Sequence, residues 1–179
     1  MQVLEIKYLC GFLLRYNRGV NETEKSFALL RIAFGLVWLV DASFKWNPAF
    51  INNLTDYLAQ GAQGQPALVQ WWINLWIQSV SVDPHFFAIV VACAETAIAI
   101  GLLFGLFTEI AIAGGIAMTL VIWSTAEGFG GPYMAGSTDV GAAIIYALLF
   151  VALFIGKSWR LYSIDAMLRK KFPFLYWRW

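Results

Sequence analysis

"IVVACAETAIAIGLLFGL", residues 89–106, holds one carboxylate, Glu95, in a run that is otherwise apolar, small or weakly polar. The rest of the chain has the same character, because 60% of its 179 residues are hydrophobic and only 13% are charged. The mean hydropathy is +0.67. A soluble domain of this size cannot bury so much apolar surface. The sequence therefore predicts an integral membrane protein in which Glu95 lies inside a membrane span.

Four apolar segments approach or reach the roughly 17 to 25 residues that a helix needs to cross a ~30 Å hydrocarbon core. They are residues 26–44, 86–107, 110–126 and 140–156. We expect an all-α fold in which residues 1–179 form a single domain, a bundle of four transmembrane helices. The boundaries of the third and fourth segments are the least defined because these segments are the shortest.

The basic residues cluster near the two ends of the chain. Eleven of the twelve are Lys7, Arg15, Arg18, Lys25, Arg31, Lys157, Arg160, Arg169, Lys170, Lys171 and Arg178, and only Lys45 lies elsewhere. Cytoplasmic flanks of membrane spans are enriched in Lys and Arg, so both termini are expected in the cytoplasm. An even number of spans is then required, and four spans satisfy this condition.

Three further segments are predicted to lie at the membrane surface. Apolar residues between positions 6 and 14 recur at helical spacing, which predicts an interfacial amphipathic helix on the inner surface. The C-terminal "LRKKFPFLYWRW" is typical of a headgroup anchor on the same side.

The outer loop, residues 46–85, is nearly uncharged. From Pro66 onward, "PALVQWWINLWIQSV" predicts an interfacial helix with Leu68, Trp72, Leu75 and Trp76 along one face. An aromatic belt that anchors the loop and an aromatic lid over a lipid-like ligand both fit this face.

Several kinds of site are excluded by composition. His85 is the single histidine, so we expect no haem or His-rich metal centre within this chain. The two cysteines, Cys10 and Cys93, are placed on the cytoplasmic side and inside the second span, so no disulfide is expected. The glycines lie in spans and turns and form no nucleotide-binding loop, and no nucleic-acid partner is expected.

Glu95 is the most informative of the intramembrane charges. It lies nine residues after Phe86, roughly 14 Å deep at about 1.5 Å per residue. A carboxylate there costs several kcal/mol unless it is protonated, paired or facing water, and such residues usually face the interior of the bundle. Ala88, Ala92 and Ala99 share its helical face, so another helix can approach closely.

The first and fourth spans carry polar residues on the same pattern. Helical spacing places Arg31, Asp41, Lys45, Asp139 and Tyr146 on faces directed into the bundle. We expect Lys45 to pair with Asp41 or Asp139, and Glu95 to form a hydrogen bond with Tyr146. Purely structural pairing also accounts for the charges at the helix ends.

Four motifs, in order, resemble the DoxX/DoxD family of membrane proteins. They are "LLRIAFGLVWLVDASFKW", "AETAIAIGLLFGLFTEIA", "GPYMAGSTDVGAAIIY" and "YSIDAML", and together they span residues 27–168. The tryptophan that follows the glycine of the first motif, and the long Trp-rich outer loop, resemble the DoxD branch most. DoxD is the larger membrane subunit of thiosulfate:quinone oxidoreductase and works with a smaller subunit called DoxA.

The resemblance implies a multi-pass protein of a prokaryotic plasma membrane that oxidises two thiosulfates to tetrathionate and passes two electrons to a membrane quinone. Under this hypothesis the catalytic residues are Glu95, Lys45 and Asp139. The candidate quinone-binding residues are Arg31, Trp38, Asp41, Tyr146, Trp72 and Trp76. A smaller partner subunit or a larger respiratory complex is expected, and the formation of a homo-oligomer is left open.

Thiosulfate itself fits this chain poorly, because a dianion requires positive charge. The predicted outer surface offers only Lys45 and His85 against four acidic residues, namely Asp56, Asp83, Glu127 and Asp139. Thiosulfate is therefore expected to bind mostly on a partner subunit. Two alternative functions stay open: a non-catalytic anchoring subunit of a respiratory complex, and a small transporter of a sulfur compound or of protons.

Overall fold

The computed structural model describes residues 22–133 and 139–171, and all regular structure in these two ranges is helical. The eight α-helices of the described residues are α1 Glu22–Lys45, α2 Pro48–Asn52, α3 Leu54–Gly61, α4 Ala67–Val80, α5 Pro84–Phe104, α6 Thr108–Ser124, α7 Ala142–Ile155 and α8 Ile164–Lys171. Short 3-10 turns follow α6 and α7. The predicted interfacial helix over residues 6–14 and the last eight residues of the C-terminal anchor lie outside the described residues.

The helices that correspond to the four predicted spans are α1, α5, α6 and α7, which we call the long helices. α1 and α5 are long and apolar enough to cross a membrane, and α6 and α7 are shorter apolar helices. The second predicted span, 86–107, extends too far, because α5 ends at Phe104 and Gly105 adopts a left-handed conformation with φ 63°. A glycine at this position ends a helix at little steric cost, so α6 can begin after a very short turn.

A core of aromatic and aliphatic side chains holds the long helices together. α1 packs against α5, α5 against α6, α6 against α7, and α7 against α1. The centre of the Phe150 ring lies 4.9 Å from the centre of the Phe34 ring and 5.1 Å from that of the Trp38 ring, and both ring pairs are in edge-on contact. A side chain at Gly115 would overlap the Phe150 ring, so this glycine allows α6 and α7 to approach closely.

The turn between α5 and α6 is fixed by the segment that follows α7. The buried carboxylate of Asp165 accepts hydrogen bonds from the backbone N–H groups of Phe107, at 3.0 Å, and Thr108, at 2.8 Å. These N–H groups belong to the first turn of α6 and have no partner within the helix. We call this side of the molecule, which carries both described chain ends, the terminal side.

Residues 46–83, which we call the connector, cover the opposite end of the helices, the connector side. Leu54, Leu58 and Val80 form a second core cluster with Ala88 at the start of α5. The connector is also held to the turn after α6, because the Gln65 side-chain amide donates a 3.0 Å hydrogen bond to the carbonyl of Gly128.

The predicted interfacial helix is present as α4, which begins directly after Pro66. The residues that this helix buries in the protein are not those of the predicted apolar face, which the sequence assigned to the membrane interface. Ile73 and Val80 are buried, whereas Leu68 is 75% exposed and Leu75 is 38% exposed. Apolar residues of a membrane protein face lipid as well as the core, so hydrophobic periodicity alone does not identify the inward face.

Candidate functional site

A cavity of about 310 Å³ lies beneath the connector, between it and the helices α1, α5 and α6. We call it the Lys45–Glu95 cavity, because these two side chains are its charged lining residues. Its aromatic lining residues are Phe44, Phe50, Tyr57, Trp76 and Phe87. The cavity therefore combines a charged end with predominantly apolar walls, which is the usual composition of a small-molecule site.

Lys45 is the last residue of α1 and contacts two carboxylates. Its Nζ lies 3.2 Å from Asp41 Oδ2, one turn earlier on α1, and 3.5 Å from Glu95 Oε2 on α5. The same Nζ lies 5.6 Å from the centre of the Phe50 ring, where the cation meets the negative face of the ring. The predicted pairing of Lys45 with Asp41 is confirmed, and its contact with Glu95 was not predicted.

Glu95 is fully buried in the middle of α5. Within residues 22–133 and 139–171, neither of its carboxyl oxygens takes part in a hydrogen bond, and its ion pair is the 3.5 Å contact with Lys45. The predicted hydrogen bond to Tyr146 was wrong, because the Tyr146 ring packs edge-on against Phe34 and Trp38 instead. A buried carboxyl that lines a cavity and has unused hydrogen-bonding capacity can bind a polar ligand group.

Asp139 does not line the cavity. It is exposed, and its Oδ1 accepts a 2.6 Å hydrogen bond from the backbone N–H of Val140. The alternative pairing of Lys45 with Asp139 is therefore a wrong prediction. Helical periodicity misplaced this residue because α7 begins only at Ala142, so Asp139 is not part of a helical face.

Arg31 is fully buried, as expected for an inward-facing residue, but it belongs to the terminal side. Its guanidinium donates hydrogen bonds to backbone carbonyls of Leu102 at 2.5 Å, Tyr162 at 2.7 Å and Ser158 at 3.2 Å. These bonds join α1 to the end of α5 and to the turn after α7. Arg31 does not line the Lys45–Glu95 cavity and its guanidinium binds backbone carbonyls on the terminal side, so its assignment as a quinone-binding residue stays a prediction that this geometry does not support.

The predicted aromatic residues separate into two groups. Trp38 and Tyr146 belong to the core of the long helices and do not line the cavity. Trp76 lines the cavity, and Trp72 packs edge-on against it with 5.9 Å between the ring centres. Of these two tryptophans, Trp76 therefore contacts the cavity directly and Trp72 contacts only the Trp76 ring, and the aromatic lid over a ligand stays a prediction.

Several cavity residues were missed by the sequence analysis. Phe87 and Val91 precede Glu95 at intervals of four residues on α5, so helical spacing was a usable signal for both. Phe50 and Tyr57 lie on the two short helices α2 and α3, within the predicted loop. No periodic pattern marks helices this short.

In the part of the chain that the structure describes, no three His, Cys, Asp or Glu side chains are grouped so that they could hold a metal ion. Cys93 is a free thiol exposed on the surface of α5, and Cys10 lies outside the described residues.

Comparison with known proteins gives one match. The family model described as DoxX matches residues 26–128, more than half of the chain. The matched range contains every lining residue of the Lys45–Glu95 cavity. No curated protein and no solved structure matches this chain.

Proposed function

From the premise that this chain is a membrane protein of the DoxX family, we propose that it is the membrane subunit of a quinone-linked oxidoreductase. The quinone head group binds in the Lys45–Glu95 cavity. The observation that carries the proposal is the position of Glu95, fully buried at the charged end of an aromatic cavity with both carboxyl oxygens outside any hydrogen bond of the described residues.

The proposed topology has four spans, formed by α1, α5, α6 and α7. Both termini lie in the cytoplasm of a prokaryotic cell, and the connector lies outside. The clustering of basic residues at the chain ends supports this orientation. With 14 residues, α7 is roughly 21 Å long at about 1.5 Å per residue, so its flanking turns and a local thinning of the bilayer complete the crossing.

The size and chemistry of the cavity suit a quinone ring. A volume of about 310 Å³ lies at the lower end of the roughly 300–1,000 Å³ found for small-molecule sites. The flat ring packs against Phe50, Trp76 and Phe87. Lys45 donates a hydrogen bond to one quinone oxygen. The quinone takes up two electrons and two protons to form the quinol, with one proton supplied by protonated Glu95 and the other by the solvent.

The electron donor proposed from the family resemblance is thiosulfate, and two thiosulfates release two electrons when they join as tetrathionate. This dianion does not suit the cavity, because the positive charge of the single ammonium, Lys45, is already compensated by Asp41. Thiosulfate therefore binds on a partner subunit, which passes the two electrons to the quinone bound in this cavity.

Quinone binding by the purified protein tests this proposal. The full chain is purified in mild detergent, its lipids are extracted and analysed for quinone, and the quenching of tryptophan fluorescence by decylubiquinone is titrated. We expect a bound quinone and saturable quenching, since Trp76 lines the cavity. If no quinone copurifies and the quenching does not saturate, the chain is a non-catalytic anchoring subunit.

A further inference from the structure

A second, larger depression lies on the surface of the helices α5 and α6. It has a volume of about 770 Å³, and every side chain that lines it is apolar or small. On α5 it extends from Val91 to Gly101, roughly 15 Å at about 1.5 Å per residue, and it reaches Phe107 and Ile110 near the terminal side. We call it the lateral groove.

Small residues on both helices create the lateral groove. Ala94 and Ala97 of α5 face Gly114 and Ala117 of α6 across it. Ala97, Gly114 and Ala117 are exposed on the surface of the described protein. Because these residues have little or no side chain, a channel remains between two helices that otherwise pack together.

The lateral groove and the Lys45–Glu95 cavity are adjacent. Four residues line both of them: Trp76, Val91, Met118 and Val121. These four residues lie at the boundary between the two spaces, and Glu95 lines the cavity but not the groove. A cavity with a charged end inside the protein therefore borders directly on a long apolar groove at the surface.

We propose that the lateral groove holds the apolar tail of the ligand whose polar head lies against Lys45 and Glu95. The ligand is then a long-tailed, membrane-dissolved quinone that enters sideways from the bilayer beneath Trp76. This inference rests on the proposed function and adds to it the tail recognition and the route of entry. A flexible tail can lie in the groove while its head group lies in the cavity. A helix of a second protein chain, about 10 Å wide with its side chains, could occupy the groove alone.

Paired phenylalanine variants test the proposal with two quinones that share one ring. The full chain in nanodiscs of phosphatidylcholine is titrated with tail-less ubiquinone-0 and with decylubiquinone, and the Kd is read from the quenching of tryptophan fluorescence. Ala117→Phe fills the groove beside Met118. Ala113→Phe is the matched control, since Ala113 is exposed one turn earlier on the same helix and does not line the groove.

We expect Ala117→Phe to weaken the binding of decylubiquinone roughly tenfold, which is the loss in affinity expected when about ten carbon–carbon contacts with the tail are removed. The binding of ubiquinone-0, which has no tail, should be unchanged. Ala113→Phe should change neither Kd. Partition of the quinones into the lipid is the same for all variants, so it cancels in the ratio of variant to parent. Ala94→Phe, on the opposite wall, should give the same tail-selective loss.

Four results contradict the inference. If both groove variants bind decylubiquinone like the parent, or weaken both quinones equally, the tail leaves the cavity elsewhere. If Ala117→Phe instead converts a dimer into a monomer in light scattering and leaves the preference for the tail unchanged, the groove is a protein–protein surface. If neither quinone binds the parent protein, the proposed function itself fails, and the inference fails with it.

Discussion

The ammonium of Lys45, at the end of α1, lies 3.5 Å from a carboxyl oxygen of Glu95, in the middle of α5. The Lys45 side chain is 18% exposed and that of Glu95 is fully buried, whereas the second partner, Asp41, is 40% exposed. The ion pair therefore joins two helices at the charged end of the cavity. It also provides a cation and an acid that can act together on one ligand.

Glu95→Gln tests the role of this acid. Glutamine keeps the shape of the side chain and can donate a hydrogen bond, but it cannot transfer a proton. We expect the variant to assemble normally and to lose most of its quinone reduction, measured as quinol formation by the complete complex. Asp41→Asn, which removes the more exposed partner of Lys45, should retain most of the activity. If Glu95→Gln turns over like the parent, Glu95 is a structural residue.

The coupling between Lys45 and Glu95 can be measured with a double-mutant cycle. Lys45→Met removes the one cation within 4 Å of Glu95 among the described residues. We expect the loss of stability to be partly reversed when Glu95→Gln is added, with a coupling energy of about 0.5–3 kcal/mol from thermal unfolding in detergent. Additive losses would show that the two groups do not interact. The KM for thiosulfate should be unchanged in Lys45→Met, because thiosulfate binds on the partner subunit in the proposed function.

Arg31 is expected to be essential for stability. Arg31→Met leaves backbone carbonyls of Leu102, Ser158 and Tyr162 without their donor, and we expect it to destabilise the protein by roughly 1–3 kcal/mol for each carbonyl that stays unsatisfied. Arg160→Gln is the control, because Arg160 is 47% exposed and its ion pair with Glu24 is expected to contribute less than about 1 kcal/mol. Thermal unfolding in detergent compares the two variants. Equal changes in the midpoint would contradict the assignment of Arg31 as the residue that joins the terminal side.

Two adjacent glycines of α6 are expected to respond in opposite ways to alanine. Gly115→Ala places a methyl group in the Phe150 ring and should cost about 1–3 kcal/mol. A side chain at Gly114 meets nothing closer than 3.9 Å, so Gly114→Ala should be neutral or stabilising by up to about 1 kcal/mol. The unfolding midpoints of the two variants provide the comparison. Equal destabilisation would mean that the contact between α6 and α7 is looser than described.

Cysteine labelling tests the proposed orientation. In a background with Cys10→Ala and Cys93→Ala, Gln63→Cys places a thiol on the exposed surface of the connector, and Lys170→Cys places one on α8. A membrane-impermeant maleimide added to intact cells should label position 63 and should not label position 170 until the membrane is opened. The reverse pattern would invert the topology.

The sequence by itself determined the helical class of the protein, the approximate bounds of its four long helices and the burial of Arg31 and Glu95. The physical reason is that these properties depend on local hydrophobicity and helical spacing. Long apolar runs form helices whose length follows from the run, and a charged side chain in such a run must face the interior. The start of α4 after Pro66 belongs to the same group, because it depends on local backbone preference.

Only the tertiary structure decided which side chains meet. Arg31 and Glu95 are both charged residues within long apolar runs of the sequence. The guanidinium of Arg31 nevertheless binds backbone carbonyls on the terminal side, whereas Glu95 lines the cavity. The contact of Lys45 with Glu95, and the cavity walls from α2 and α3, depend on how the connector folds back over α5 and α6. Apolar residues cover both the lipid-facing and the inward surfaces of these helices, so the hydrophobic pattern does not specify which helix faces pack together.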